Sequence, residues 1–136
     1  MRQQVAIISS VGSNLASLKF ALDRLDVNYF ETDDPKKVIN SSHVILPGVG
    51  SAQKAIETLK NNDLINLIPS LTQPTLGICL GMQLLMQTSS EDDCECLGII
   101  EGNCESFVAD NEHPVPHMGW NSLNINYSTE LTNQIN

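Results

Sequence analysis

The sequence predicts an α/β fold, a mostly parallel sheet with helices on both faces. Three observations carry this reading. Short apolar runs alternate with stretches whose apolar residues recur at helical spacing, as expected when each strand is followed by a crossover helix. Glycine-bearing turns follow two of the runs directly, at Ser9 to Asn14 and at Pro47-Gly48-Val49-Gly50. A further run, Thr75 to Ile78, passes through Cys79 straight into a helical stretch. The runs are continuous rather than alternating, which marks strands covered on both faces.

Val5-Ala6-Ile7-Ile8 is the first strand, and Ser9 to Ser13 with Gly12 forms the turn after it. Leu15, Leu18, Leu22 and Leu25 then recur at helical spacing, with Lys19, Asp23 and Arg24 on the other face. Asn28 to Glu31 is a second strand. Asp34 followed by Pro35 starts a short helix, an N-cap with proline at the first helical position. His43 to Leu46 is the third strand, and the helix over 51–60 places Ala52, Ala55, Ile56 and Leu59 on one stripe. A short helix through Leu64, Leu67 and Ile68 follows. Thr75 to Ile78 is the fourth strand, and Met82 to Met86 opens the next helix. Ser89 to Asp93 is expected to be a solvated acidic loop, and short strands are expected from Leu97 onward, broken by Gly98, Gly102, Pro114 and Pro116.

Residues 1–136 are read as a single domain, long enough to bury a core. Seven Lys and Arg against sixteen Asp and Glu give a formal charge of -9, which repels a phosphate backbone and argues against a nucleic-acid partner. The apolar run at the amino end is shorter than a signal h-region, and no run approaches a membrane span. No membrane partner and a cytoplasmic location are therefore expected. Cys79, Cys94, Cys96 and Cys104 are read as reduced thiols.

Gly77-Ile78-Cys79-Leu80-Gly81 reads as a nucleophile elbow with cysteine as the attacking group. A side chain presented at the tip of a strand-to-helix turn needs small neighbours, because a Cβ on either side would crowd the turn and the adjoining strands. A helix N-terminus favours the thiolate, the nucleophilic form. The N–H of Leu80 is placed to bind a developing oxyanion, and the Pro47 to Gly50 turn offers a second donor. Sites in open α/β sheets lie at the carboxyl ends of the strands, where these loops gather.

Leu46-Pro-Gly-Val-Gly50, Leu76-Gly-Ile-Cys-Leu-Gly-Met-Gln-Leu-Leu85, Leu97-Gly-Ile-Ile-Glu-Gly102 and Val115-Pro-His-Met-Gly-Trp-Asn121 together resemble the class I glutamine amidotransferases. Within that class they resemble the glutaminase subunits of imidazole glycerol phosphate synthases. The resemblance implies a flavodoxin-like fold lacking its C-terminal part. It implies that Cys79 attacks the side-chain amide of glutamine, forming a glutamyl thioester and releasing ammonia, after which water frees glutamate. It assigns Gly48 and Val49, with Leu80, to oxyanion binding and Gln83 and Gly50 to substrate binding. His117, Met118, Trp120 and Asn121 are assigned to the face meeting a cyclase subunit in a heterodimer of histidine biosynthesis. No cofactor and no metal are implied.

The sequence departs from the family in two places. The His-Pro-Glu segment that supplies the catalytic base and its carboxylate has no counterpart here, so the 136-residue chain is expected to be inactive or nearly so alone. Ser9-Ser-Val-Gly-Ser-Asn-Leu15 stands where the family carries Asp-Tyr-Gly-x-Gly-Asn-Leu. That change keeps open a divergent or non-catalytic paralogue acting as a partner-binding subunit, for example in surface amino-sugar synthesis. A metal site at Cys94, Cys96, Cys104 and His113 is the weaker alternative, because Cys-x-Cys is not the usual zinc spacing.

Overall fold

The computed structural model describes residues 4–11, 14–111 and 113–133. Gly12 and Ser13, expected in the first turn, lie outside the described residues. By its contacts the chain divides into two compact units, Met1–Ser106 and Phe107–Asn136.

The first unit is built on four parallel strands, β1 (Gln4–Ile8), β2 (Asn28–Thr32), β3 (His43–Leu46) and β4 (Thr75–Gly77), in the order β2-β1-β3-β4. The chain starts in the middle, adds β2 on one side, then crosses back to add β3 and β4 on the other. Helices consequently cover both faces, as the uninterrupted apolar strands require. On one face Val5, Ile7 and Ile45 pack against Leu22 of α1 (Ala16–Arg24), with Leu15 and Leu18 partly buried beside them. Leu25, expected on the same stripe, caps the helix and is exposed. On the other face Ile8, Val44 and Leu46 meet Val38 of α2 (Pro35–Ile39), the full stripe of α3 (Ala52–Asn61) and Leu80, Leu84 and Leu85 of α4 (Leu80–Leu85). Burying such side chains contributes about 1.5–3 kcal/mol each relative to exposure, which outweighs the weak intrinsic stability of helices this short.

Local chemistry sets where the helices begin. The Asp34 carboxylate accepts from the Lys36 N–H at 2.9 Å with Pro35 next to it, and the Ser51 hydroxyl accepts from the Lys54 N–H at 3.3 Å. The short helix expected through Leu64 to Ile68 is instead a pair of turns ending in a single 3-10 turn, Ile68–Ser70, with Leu64 and Ile68 buried. Pro69 removes an N–H that a longer helix would need.

The segment after α4 departs further from the sequence reading. Of the acidic loop expected over 89–93, Ser90 to Asp93 form an exposed turn as read, while Ser89 ends strand β5 (Thr88–Ser89) and is buried. This strand is flanked by β6 (Cys94–Glu95), antiparallel, and β7 (Asn103–Cys104), parallel. Beyond Cys104 the expected strands are absent among the described residues. In the second unit none of the described residues is buried, Phe107, Trp120 and Tyr127 included, so among them a strand has no core to settle on.

Candidate active site

The elbow is built where β4 meets α4. Gly77 pairs with Leu46 on β3, and the Ile78 N–H donates to the Leu46 carbonyl at 3.0 Å. Cys79 then adopts φ 54° and ψ -116°, a backbone conformation that L-residues other than glycine rarely take. Its thiol makes no capping hydrogen bond and is exposed. The chain enters α4 at once, with the Gln83 N–H donating to the Cys79 carbonyl at 3.1 Å.

Both flanking glycines are sterically required. A Cβ on Gly77 would lie 2.7 Å from the backbone N and Cα of Met82. A Cβ on Gly81 would overlap the Leu46 carbonyl oxygen. The sequence argument that either Cβ would crowd the turn and its neighbours therefore holds in atomic detail. Gly48 serves a related purpose: a Cβ there would stand 3.0 Å from Cβ of Leu80 and 3.2 Å from the N of Gly81. The turn after β3 thus lies directly against the elbow. Leu80 buries its side chain in the core, while its N–H has no hydrogen-bond partner among the described residues. Val49 is exposed, and Gly50, also exposed, holds φ +96°.

Gln83 sits one helical turn past Cys79 and is half-buried. Its side-chain amide donates to the Ser89 hydroxyl and, at 3.1 Å, to the Glu91 carboxylate. Sequence reasoning missed Ser89 because the acidic run after it, Glu91-Asp92-Asp93, dominated the pattern. The pairing of β5 with both β6 and β7, which buries it, is non-local.

A cavity of about 190 Å³ opens between the loops after β1 and β3, lined by Ser10, Val11, Val49, Gly50, Ser51 and Lys54 among others. It lies between the carboxyl ends of β1 and β3, where the direction of sheet growth reverses. The loop after β1 is held by Asp33: its carboxylate accepts from the N–H groups of Ser9 and Ser10 at 3.1 and 2.9 Å and from the Ser9 hydroxyl. No sequence motif announced Asp33, since its partners lie across the β1–β2 crossover.

His43 stands at the amino end of β3, opposite the end that carries the elbow, and contacts Ser42. In the second unit His117 pairs with Asn121 at 2.7 Å, His113 with Asp110 at 2.9 Å, and Met118 and Trp120 are exposed. Among the described residues no group of three His, Cys, Asp or Glu is arranged to hold a metal ion, and no helix is long and apolar enough to cross a membrane.

The family model for glutamine amidotransferase class-I matches residues 6–136. The chain belongs to the class-I glutamine amidotransferases. This amidotransferase chain is 48% identical over 132 residues to imidazole glycerol phosphate synthase subunit HisH 2 of Legionella pneumophila (strain Lens), covering 97% of the chain and 66% of that protein. It is 45% identical over 121 residues to the HisH subunit of Pasteurella multocida, covering 89% and 61%. The chain thus spans a little under two thirds of the length of these curated relatives. A crystal structure of a glutamine amidotransferase superposes with a TM-score of 0.64 at 19% identity, over 74% of this chain and 55% of that one, a likeness of fold.

Proposed function

We propose that the chain is the glutaminase subunit of an imidazole glycerol phosphate synthase, an amidotransferase domain spanning 1–136 that supplies ammonia to a cyclase subunit. The observation that carries this reading is Cys79, exposed at φ 54° between two glycines that cannot accept a Cβ. A thiol so presented reaches a carbonyl carbon held above the turn. The Cys79 thiolate attacks the side-chain amide carbon of glutamine, the C–N bond breaks, ammonia leaves with a proton, and water hydrolyses the glutamyl thioester to glutamate and the free thiol.

The free N–H of Leu80 faces the developing oxyanion, with the Gly48-Val49 segment lying against the elbow as the second donor. Gln83 and Gly50 position the substrate glutamine. His117, Met118, Trp120 and Asn121 form the face that meets the cyclase in a heterodimer. Their exposure suits a surface that becomes buried on association. A proton shuttle is not assigned to the elbow's own unit: its histidine, His43, is at the amino end of β3, opposite the elbow, and His117 is given to the cyclase face. The 136 residues alone should therefore hydrolyse glutamine poorly or not at all, with or without a cyclase present.

Reaction chemistry at Cys79 is tested by a diazoketone analogue of glutamine, which alkylates a thiolate held in a glutamine site. A single adduct on Cys79, absent in Cys79→Ser and suppressed by excess glutamine, is the expected outcome. Adducts spread evenly over Cys79, Cys94, Cys96 and Cys104, unaffected by glutamine, would sink the reading.

A further inference from the structure

Cys94 and Cys96 lie outside the elbow and have no part in the chemistry above. β6 places Cys94 opposite Ser89, and β7 places Cys104 opposite the same residue from the other side. Residues paired across strands share a face of the sheet, and so do residues two apart along one strand. Cys94 lies on the face that carries Ser89; Cys96 follows β6 directly, its N–H donating to the Gln87 carbonyl at 2.9 Å, and both side chains pack against the core that α3 and α4 share. The Cys96 thiol reaches the Cys94 carbonyl at 3.7 Å, and the Cys94 thiol reaches the Glu95 carbonyl at 3.3 Å, so both sulfurs lie against the same short stretch of backbone. Cys104 is two strands away from Cys94, roughly 9–10 Å, beyond the roughly 7 Å between Cα atoms that a disulfide can bridge.

We propose that Cys94 and Cys96 form a reversible dithiol–disulfide pair oxidised by peroxide, and that closing it breaks the contact between Ser89 and Gln83. One thiolate attacks a peroxide oxygen, the O–O bond breaks, and a sulfenic acid and hydroxide result. The second thiolate displaces hydroxide from the sulfenic sulfur and forms the S–S bond. Two thiols and one hydrogen peroxide give one disulfide and two waters, and a small thiol reductant restores the pair by exchange.

The geometry couples this bond to the amidotransferase site. Two residues along an extended strand span about 6.4–6.8 Å, the upper limit of the Cα separations that disulfides bridge, whose usual value is about 5.5–6 Å. Closure shortens the 94–96 segment and draws Cys94 out of register with Ser89. Ser89 is the buried acceptor of the Gln83 amide, and Glu91, the second acceptor, lies on the loop joining β5 to β6. Shifting β6 moves the loop that carries Glu91 and pulls on Ser89 through its pairing with Cys94, withdrawing both acceptors from Gln83.

The surroundings set the rate. Burial pushes the Cys94 thiol up and the Cys96 thiol to about 11, with the Cys94 and Cys104 thiols facing Cys96 and with Asp92, Lys60 and Glu57 facing Cys94. Only thiolates attack, so closure is slow at neutral pH and gains about tenfold per pH unit below that range.

The test uses the whole chain carrying Cys79→Ser, which removes the exposed competing thiol. It is treated with hydrogen peroxide at pH 7 and pH 9, alkylated, digested and weighed. The expected product is a peptide containing Cys94 and Cys96 that has lost two hydrogens, resists alkylation, forms faster at pH 9 and is restored by dithiothreitol. Cys94→Ser and Cys96→Ser should each abolish it, and Cys104→Ser should leave it unchanged. In the oxidised chain the backbone amides of 88–96 should exchange with solvent about tenfold faster, as expected for a local opening. A bridge to Cys104, oxygen adducts on single cysteines without a bridge, or a bridge with unchanged exchange over 88–96 would each overturn the proposal. Any effect on glutamine binding rests on the role proposed for Gln83. The mass and exchange readouts involve no glutamine, so failure of that role leaves them standing.

Discussion

At the residue scale, Cys79 sacrifices local stability for presentation. A non-glycine residue held at φ 54° and ψ -116° costs on the order of 1–3 kcal/mol, and the surrounding backbone must hold it there. It does so through the Ile78 N–H bond to Leu46 and the Gln83 N–H bond to the Cys79 carbonyl, one on each side of the turn. Glycine visits this conformation freely. Cys79→Gly should therefore raise the free energy of unfolding by about 1 kcal/mol in urea melts while abolishing thiol chemistry. A Cys79→Gly chain less stable than the parent would mean that the turn is not strained.

At the element scale, α4 is short and is fixed by what touches it. Its last carbonyls accept backbone N–H groups from the following segment: Leu97 bonds Leu84, Gly98 bonds Met86, and Ile99 and Ile100 both bond Leu85, at 2.8 to 2.9 Å. These contacts satisfy groups that a helix end leaves open, and they explain why Leu97-Gly98-Ile99-Ile100 caps a helix instead of forming a strand. The other end of α4 lies against the Leu46 carbonyl with only a hydrogen atom of Gly81 between them. Gly81→Ala should force the helix off β3 and cost about 3 kcal/mol or more, at the upper end for overpacked sites. Chemical denaturation of the variant measures this, and a loss below about 0.5 kcal/mol would contradict the packing described.

At the scale of the whole molecule, the strand order decides what can act together. Because β3 lies between β1 and β4, the turn after β3 is the neighbour both of the elbow and of the loop that Asp33 holds after β1. On the proposed function ammonia passes to a cyclase partner, and the exposed Trp120 is the largest side chain offered to anchor one. Trp120→Ala should weaken binding to the cyclase subunit by about 2 kcal/mol, roughly thirtyfold, while leaving the unfolding midpoint unchanged, since the ring buries nothing in the free chain. Titration of a labelled cyclase against both forms distinguishes this from a folding defect, which would move the midpoint.

The sequence by itself determined the strands β1 to β3 to within a residue, the stripe of α3, the Asp34 cap and the identity of the elbow. Each of these depends on near neighbours: apolar runs, helical spacing, and the need for glycine on both sides of a crowded turn. It also determined the family, because four separated motifs recur together. Only the tertiary structure decided that Ser89 is buried and holds Gln83, that Asp33 organises the loop after β1, and that Cys94 and Cys104 stand on either side of that same serine. Those facts join residues distant in the chain, through the crossover from β1 to β2 and through the pairing of β5 with β6 and β7. The absence of strands among the described residues beyond Cys104 has the same origin: a strand needs a partner and a face to bury, and neither requirement is written in the segment itself.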